Sequence, residues 1–110
     1  MSGTLDVAAV QARLEEFAKE RDWSRFHTPK NLAMALTVEA AELLEVFQWS
    51  TPEESASPDA AARQSIADEV ADVAIYLLRL CDVLEVDLPA AVDAKITSNE
   101  NRFPPQRATT

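Results

Sequence analysis

AAARQSIADEVADVAIYLLRLCDVL, residues 60–84, is the stretch that decides the fold. It contains no Gly or Pro, is built from good helix formers, and repeats Ile66, Val70, Val73, Leu77, Leu80 and Leu84 at helical spacing. It therefore predicts one long helix with a continuous apolar stripe. Ser57-Pro58 ahead of it supplies a capping residue followed by proline, whose missing N–H costs nothing in the first helical turn. Thr28-Pro29 repeats the device and predicts a helix from about Pro29 to about Trp49. Upstream, Val7, Val10, Leu14 and Phe17 mark one face of a helix over Leu5–Arg21, with Thr4 as N-cap. Downstream, Asp87 followed by Leu88-Pro89 starts a fourth helix, through about Asn99. A break at 22–27 and a polar loop at 50–57 separate these segments. The expectation is an all-α four-helix bundle forming a single domain over 1–110, with loose ends at about 1–4 and 105–110.

Composition narrows the function. The chain has 110 residues and a single Gly, at position 3, which excludes glycine-rich phosphate loops and dinucleotide-binding turns. Its net charge is −9. That leaves nothing to neutralise the phosphates of a nucleic-acid polymer and no basic patch for a membrane surface. No apolar run approaches the ~18 residues of a membrane span, and the N-terminus lacks the pattern of a signal peptide. With Cys81 as its one cysteine, the chain reads as cytoplasmic.

Acids stand where a core helix should be apolar. In the second helix Leu32, Leu36, Leu43, Val46 and Phe47 define the buried stripe. Glu39 falls inside that stripe, Glu42 on its edge, and Glu45 further round. In the third, Glu69 and Asp72 are neighbours on one flank of the stripe, with Tyr76 beside them. Two half-buried carboxylate pairs on successive core helices repel unless a cation intervenes. Hard oxygen ligands suit Mg²⁺, with Mn²⁺ possible. A solvated ion-pair face is the alternative. Lys95, Asn99 and Arg102 form one column on the fourth helix, two cations and an amide, suited to a polyphosphate or simply to an exposed helix end. Trp23, Trp49 and Tyr76, with His27 as a polar reader, can sandwich a flat ligand; core packing or an oligomer interface would use the same aromatics.

Glu39-x-x-Glu42 followed by Glu69-x-x-Asp72 resembles the MazG-like all-α NTP pyrophosphatase superfamily. The match extends through RDW (21–23), FHTPKNL (26–32), EAAELLEVFQW (39–49), DEVADVAIYL (68–77), VDLPAAV (86–92) and KITSNENRFP (95–104). Within the superfamily it is closest to the branch acting on dCTP. The chain departs from the family at Ala41, where Gly is frequent; Ala is small enough for close helix approach to survive. The resemblance implies hydrolysis of a nucleoside triphosphate, dCTP or modified dCTP, to the monophosphate and pyrophosphate, as a step of nucleotide-pool cleaning. It implies Mg²⁺ on Glu39, Glu42, Glu69 and Asp72. It places the base among Trp23, His27, Trp49 and Tyr76 and the phosphates on Lys95, Asn99 and Arg102. It also implies a homodimer or homotetramer with shared sites, in which Trp23 and His27 are candidates to serve a neighbour's pocket. For the proton of the attacking water, the candidates are Glu42 and Glu45. Rival readings are a dUTP- or phosphoribosyl-ATP-directed relative, and a non-catalytic helical interaction module.

Overall fold

A computed structural model of the chain describes residues 3–106; the ends expected to be loose lie partly outside this range, at 1–2 and 107–110. The described residues contain α1 (Val7–Glu20), a 3₁₀ turn (Ser24–Phe26), α2 (Pro29–Phe47), α3 (Pro52–Ser55), α4 (Ala60–Val83) and α5 (Leu88–Arg102), and no strand. The four long helices are those the sequence predicts. Their ends shift for identifiable reasons. α1 is capped by Asp6 rather than Thr4 and starts at Val7 rather than Leu5, because the Asp6 carboxylate accepts from the Ala9 N–H. α4 is capped by Asp59, whose carboxylate accepts from Ala62, so Ser57-Pro58 stands outside it. α2 stops two residues before Trp49, and α5 runs on past Asn99 to Arg102. The polar loop holds a helical turn, α3, built on a capping box between Thr51 and Glu54.

With no internal glycine available, two helices end on left-handed residues that carry side chains. Asp22 and Glu85 both adopt φ 56°. In each case the amide two positions past the cap donates back to the last helical turn, Trp23 to Ala18 O and Val86 to Cys81 O, both at 2.8 Å. These are Schellman closures, and the first aims Trp23 back across α1.

α2 and α4 form the principal packing pair, and α1 lies against α4. Gln11 Nε2 ties α1 to α4 by donating to the Leu78 carbonyl at 3.0 Å. The buried apolar set among the described residues is small: Ala18, Leu32, Leu78 and Cys81. No residue of α5 is buried. The shape follows from this. The radius of gyration is 17.6 Å, against roughly 13 Å for a compact domain of this length.

Candidate active site

The α2–α4 pairing sets the acids against one another. Glu39 projects from the apolar side of α2 toward Glu69 and Asp72 on α4, and one carboxylate oxygen from each of the three lies within 4.8 Å of the others. Glu42 stands beside this group, close enough to raise the pKa of both Glu39 and Glu69. Glu39 Oε2 and Glu69 Oε2 are buried without any hydrogen-bond partner among the described residues. Buried, unpartnered carboxylate oxygens are costly, and converging ones doubly so. The Glu39 carboxyl is accordingly pushed up to about 7, first by burial, then by its contacts with Glu42 and Glu69 and the charges of Glu42 and Asp72. Burial chiefly, with the charges of Glu42 and Asp72, raises Glu69 as well, although its close approach to Glu39 pulls the other way. An all-oxygen donor set with two orphaned buried atoms fits a hard divalent cation. Glu45, one turn beyond Glu42, is exposed.

Asp72 also lines a cavity of about 240 Å³ whose walls include Trp23, His27 and Tyr76. Tyr76 lies one turn beyond Asp72 on α4. Trp23 arrives through the Schellman closure and meets Phe17 edge-on, with ring centroids 5.6 Å apart. The 3₁₀ turn carries the chain from Trp23 to His27, where Thr28 caps α2 and Asn31 Nδ2 fastens the turn by donating to the Phe26 carbonyl at 3.0 Å. Three of the four expected base-contacting residues thus share one cavity with one of the expected metal ligands.

Other expected site residues lie elsewhere. Trp49 is 90% exposed at the far end of α2 and does not line the cavity. Lys95, Asn99 and Arg102 are exposed on α5 and do not line it either; Arg102 covers the Phe103 ring instead, at 5.0 Å from its centroid. Sequence reasoning missed Leu14, Phe17 and Ile75, which supply the apolar wall, and Arg79. Arg79 is 7% exposed. Its Nε donates to His27 Nδ1 at 3.2 Å, and its Nη1 lies 3.6 Å from Asp82 Oδ2. The signal for Arg79 was an arginine amid Leu77, Leu78 and Leu80 with an acid three residues on.

The model of the MazG-like family matches residues 34–109. dCTP pyrophosphatase 1 of Bos taurus is 46% identical over 92 residues, covering 81% of this chain and 54% of its own length. Its human counterpart is 46% identical over 91 residues with the same coverage. The chain thus spans about half the length of the curated relatives it matches. A pyrophosphatase of known crystal structure from Archaeoglobus fulgidus is 39% identical, with a TM-score of 0.85 over 96% of this chain and 98% of that one. Among the described residues no helix is long and apolar enough to cross a membrane.

Proposed function

The chain belongs to the MazG-like family, and on that premise we propose that it is a Mg²⁺-dependent nucleoside triphosphate pyrophosphohydrolase that converts dCTP, or a modified dCTP, to the monophosphate and pyrophosphate. One observation carries this reading: Asp72 belongs both to the acid cluster and to the aromatic cavity. A nucleotide with its base against Trp23, His27 and Tyr76 would therefore direct its phosphates to the acids. The names of the dCTP pyrophosphatase relatives favour cytosine as that base.

Glu39, Glu69 and Asp72, with Glu42 beside them, hold the cation. When bound there, Mg²⁺ or Mn²⁺ supplies charge neutralisation for the triphosphate and for the leaving pyrophosphate. Glu42, half-buried at the edge of the cluster, accepts the proton of the attacking water; the exposed Glu45 is less well placed. Phe17, Leu14 and Ile75 exclude water from the base.

The α5 column reaches the phosphates of a site on another copy of the chain. Support comes from surface arithmetic: the chain exposes 8840 Å², against roughly 6000 Å² for a compact monomer of its mass. The excess is of the size that obligate homo-oligomers bury. Met34, Val38, Leu44 and Ile96 are among the large apolar side chains left exposed.

Pyrophosphate release from dCTP, dUTP, dTTP, dATP, dGTP and CTP, with and without Mg²⁺, tests the proposal. Mg²⁺-dependent turnover led by dCTP is expected. Turnover led by another nucleotide overturns the cytosine assignment and keeps the acid site. No turnover by the folded oligomer leaves the interaction-module reading.

A further inference from the structure

Arg79 is a buried cation whose place in the cavity the proposed hydrolysis does not explain. A guanidinium has N–H donors and no acceptor, and it does not lose its proton in a protein. The nitrogen of His27 that faces Arg79 Nε at 3.2 Å must therefore offer a lone pair. A neutral imidazole has one N–H, so with Nδ1 as acceptor the hydrogen sits on Nε2. Adding a second proton to the ring would set donor against donor and charge against charge. Burial, and then the charge of Arg79, accordingly hold His27 below its usual range. Arg79 is itself fixed by its burial in α4 and by Asp82, one turn along. Nε2 has no hydrogen-bond partner among the described residues, and the ring lines the cavity.

We propose that Arg79 is a positioning residue that locks His27 in its Nε2–H tautomer, so that the cavity presents a fixed hydrogen-bond donor and selects a base with an acceptor atom, a carbonyl oxygen or an unprotonated ring nitrogen, at that point. This deepens, and rests on, the nucleotide-site reading above. In such a site, a base offering an N–H where the acceptor is required leaves two donors opposed in a partly dry pocket. That mismatch rejects more strongly than a missing contact does.

His27 is the only histidine in the chain, so tag-free protein labelled with ¹⁵N-histidine gives imidazole signals that need no assignment. At neutral pH without nucleotide, the wild type is expected to show an unprotonated Nδ1 and a protonated Nε2 in a single population. A Nδ1–H ring, or a mixture of tautomers, overturns the proposal, and this measurement requires no variant to fold. In Arg79→Met, which keeps the apolar stem, the tautomers are expected to mix, whereas Arg79→Lys retains a cationic donor and much of the lock. An unchanged single tautomer in Arg79→Met shows that another group sets it and overturns Arg79's role. Arg79→Met is also expected to raise KM for the preferred nucleotide roughly five- to tenfold, the size of one hydrogen bond. Its kcat should change much less, and Arg79→Lys should recover most of the loss. A fall in kcat alone, with KM unmoved, contradicts the selecting role. If the wild type turns over no nucleotide, the site reading fails while the tautomer still judges the lock. If it turns over dCTP with a mixed tautomer, only the lock fails.

Discussion

α4 and α5 are both built of ordinary helix formers, yet one chain uses them in opposite ways. α4 packs against α2 and α1, carries three of the five buried side chains, sets Glu69 and Asp72 against Glu39, and lines the cavity with Asp72, Ile75, Tyr76 and Arg79. α5 buries nothing within its own chain and holds its cations and Ile96 in the open. Between them lies the strained turn at Glu85. The acids therefore converge within one chain, while under the proposal above the basic column serves a neighbour's site. The charges differ in the same way: α2 and α4 bring three carboxylates together, with Glu42 beside them, whereas α5 holds Lys95 and Arg102 in the open.

The difference is tested most severely by Glu39→Ala. With one ligand gone, kcat/KM is expected to fall by about three orders of magnitude, matching the several kcal/mol a bound metal supplies. Arg102→Ala on α5 should cost roughly tenfold to a hundredfold, as one charge-assisted phosphate contact does. A near-normal rate in Glu39→Ala, read by pyrophosphate release, removes the acid site from the chemistry.

Mixing the two variants probes the division itself. In a dimer with shared sites, each mixed pair regains one intact site, so co-refolded Glu39→Ala and Arg102→Ala chains should recover about a quarter of wild-type turnover. Recovery no greater than the sum of the separate variants would place α5 in its own chain's site.

A smaller effect concerns stability. Glu39 has a folded-state pKa of about 7 against an ordinary 4.5, so the folded, metal-free chain prefers the protonated carboxyl. Its contribution to stability is intact below the ordinary value and is lost as pH rises through about 7. Melting in EDTA from about pH 5 to about pH 8 should show wild type losing Tm relative to Glu39→Gln. Saturating Mg²⁺ should reverse the ranking. A pH-independent gap would mean that the acids do not feel each other.

Much of this was legible in the sequence. The Thr28-Pro29 restart and the displaced Glu39 come from local chemistry and helical periodicity, and the structure keeps both. The α4 stripe is kept only in part: Val70 and Leu84 are 49% and 51% exposed, while the buried residues of the helix are Leu78, Arg79 and Cys81, which the stripe did not include. The α3 capping box was equally legible as Thr51-x-x-Glu54, yet its turn lies in a stretch that reads as loop because it has no apolar face. Trp49 and Arg79 mark the boundary of such reading. A helical wheel gives each residue an angle but does not say that Trp49 lies past the last α2 turn, or that Arg79 turns inward to meet a histidine 52 residues earlier. Those placements depend on the α1–α2 connection and on how α1 crosses α4, which no periodicity encodes. The column on α5 was recognisable as a column, but its exposure, and its absence from the cavity that Asp72 lines, emerge only from the structure.

The central claim is that Glu39, Glu69 and Asp72 form a divalent-cation site. Titrating metal-stripped wild type, Glu39→Gln and Arg102→Gln with Mg²⁺ and following Tm tests it without nucleotide. A cation that binds only the folded state stabilises by about 2.7 kcal/mol at a hundredfold excess over Kd. The account predicts a saturable rise of several degrees in wild type and in Arg102→Gln, and none in Glu39→Gln. An absent rise in wild type, or the same rise in Glu39→Gln, would contradict it.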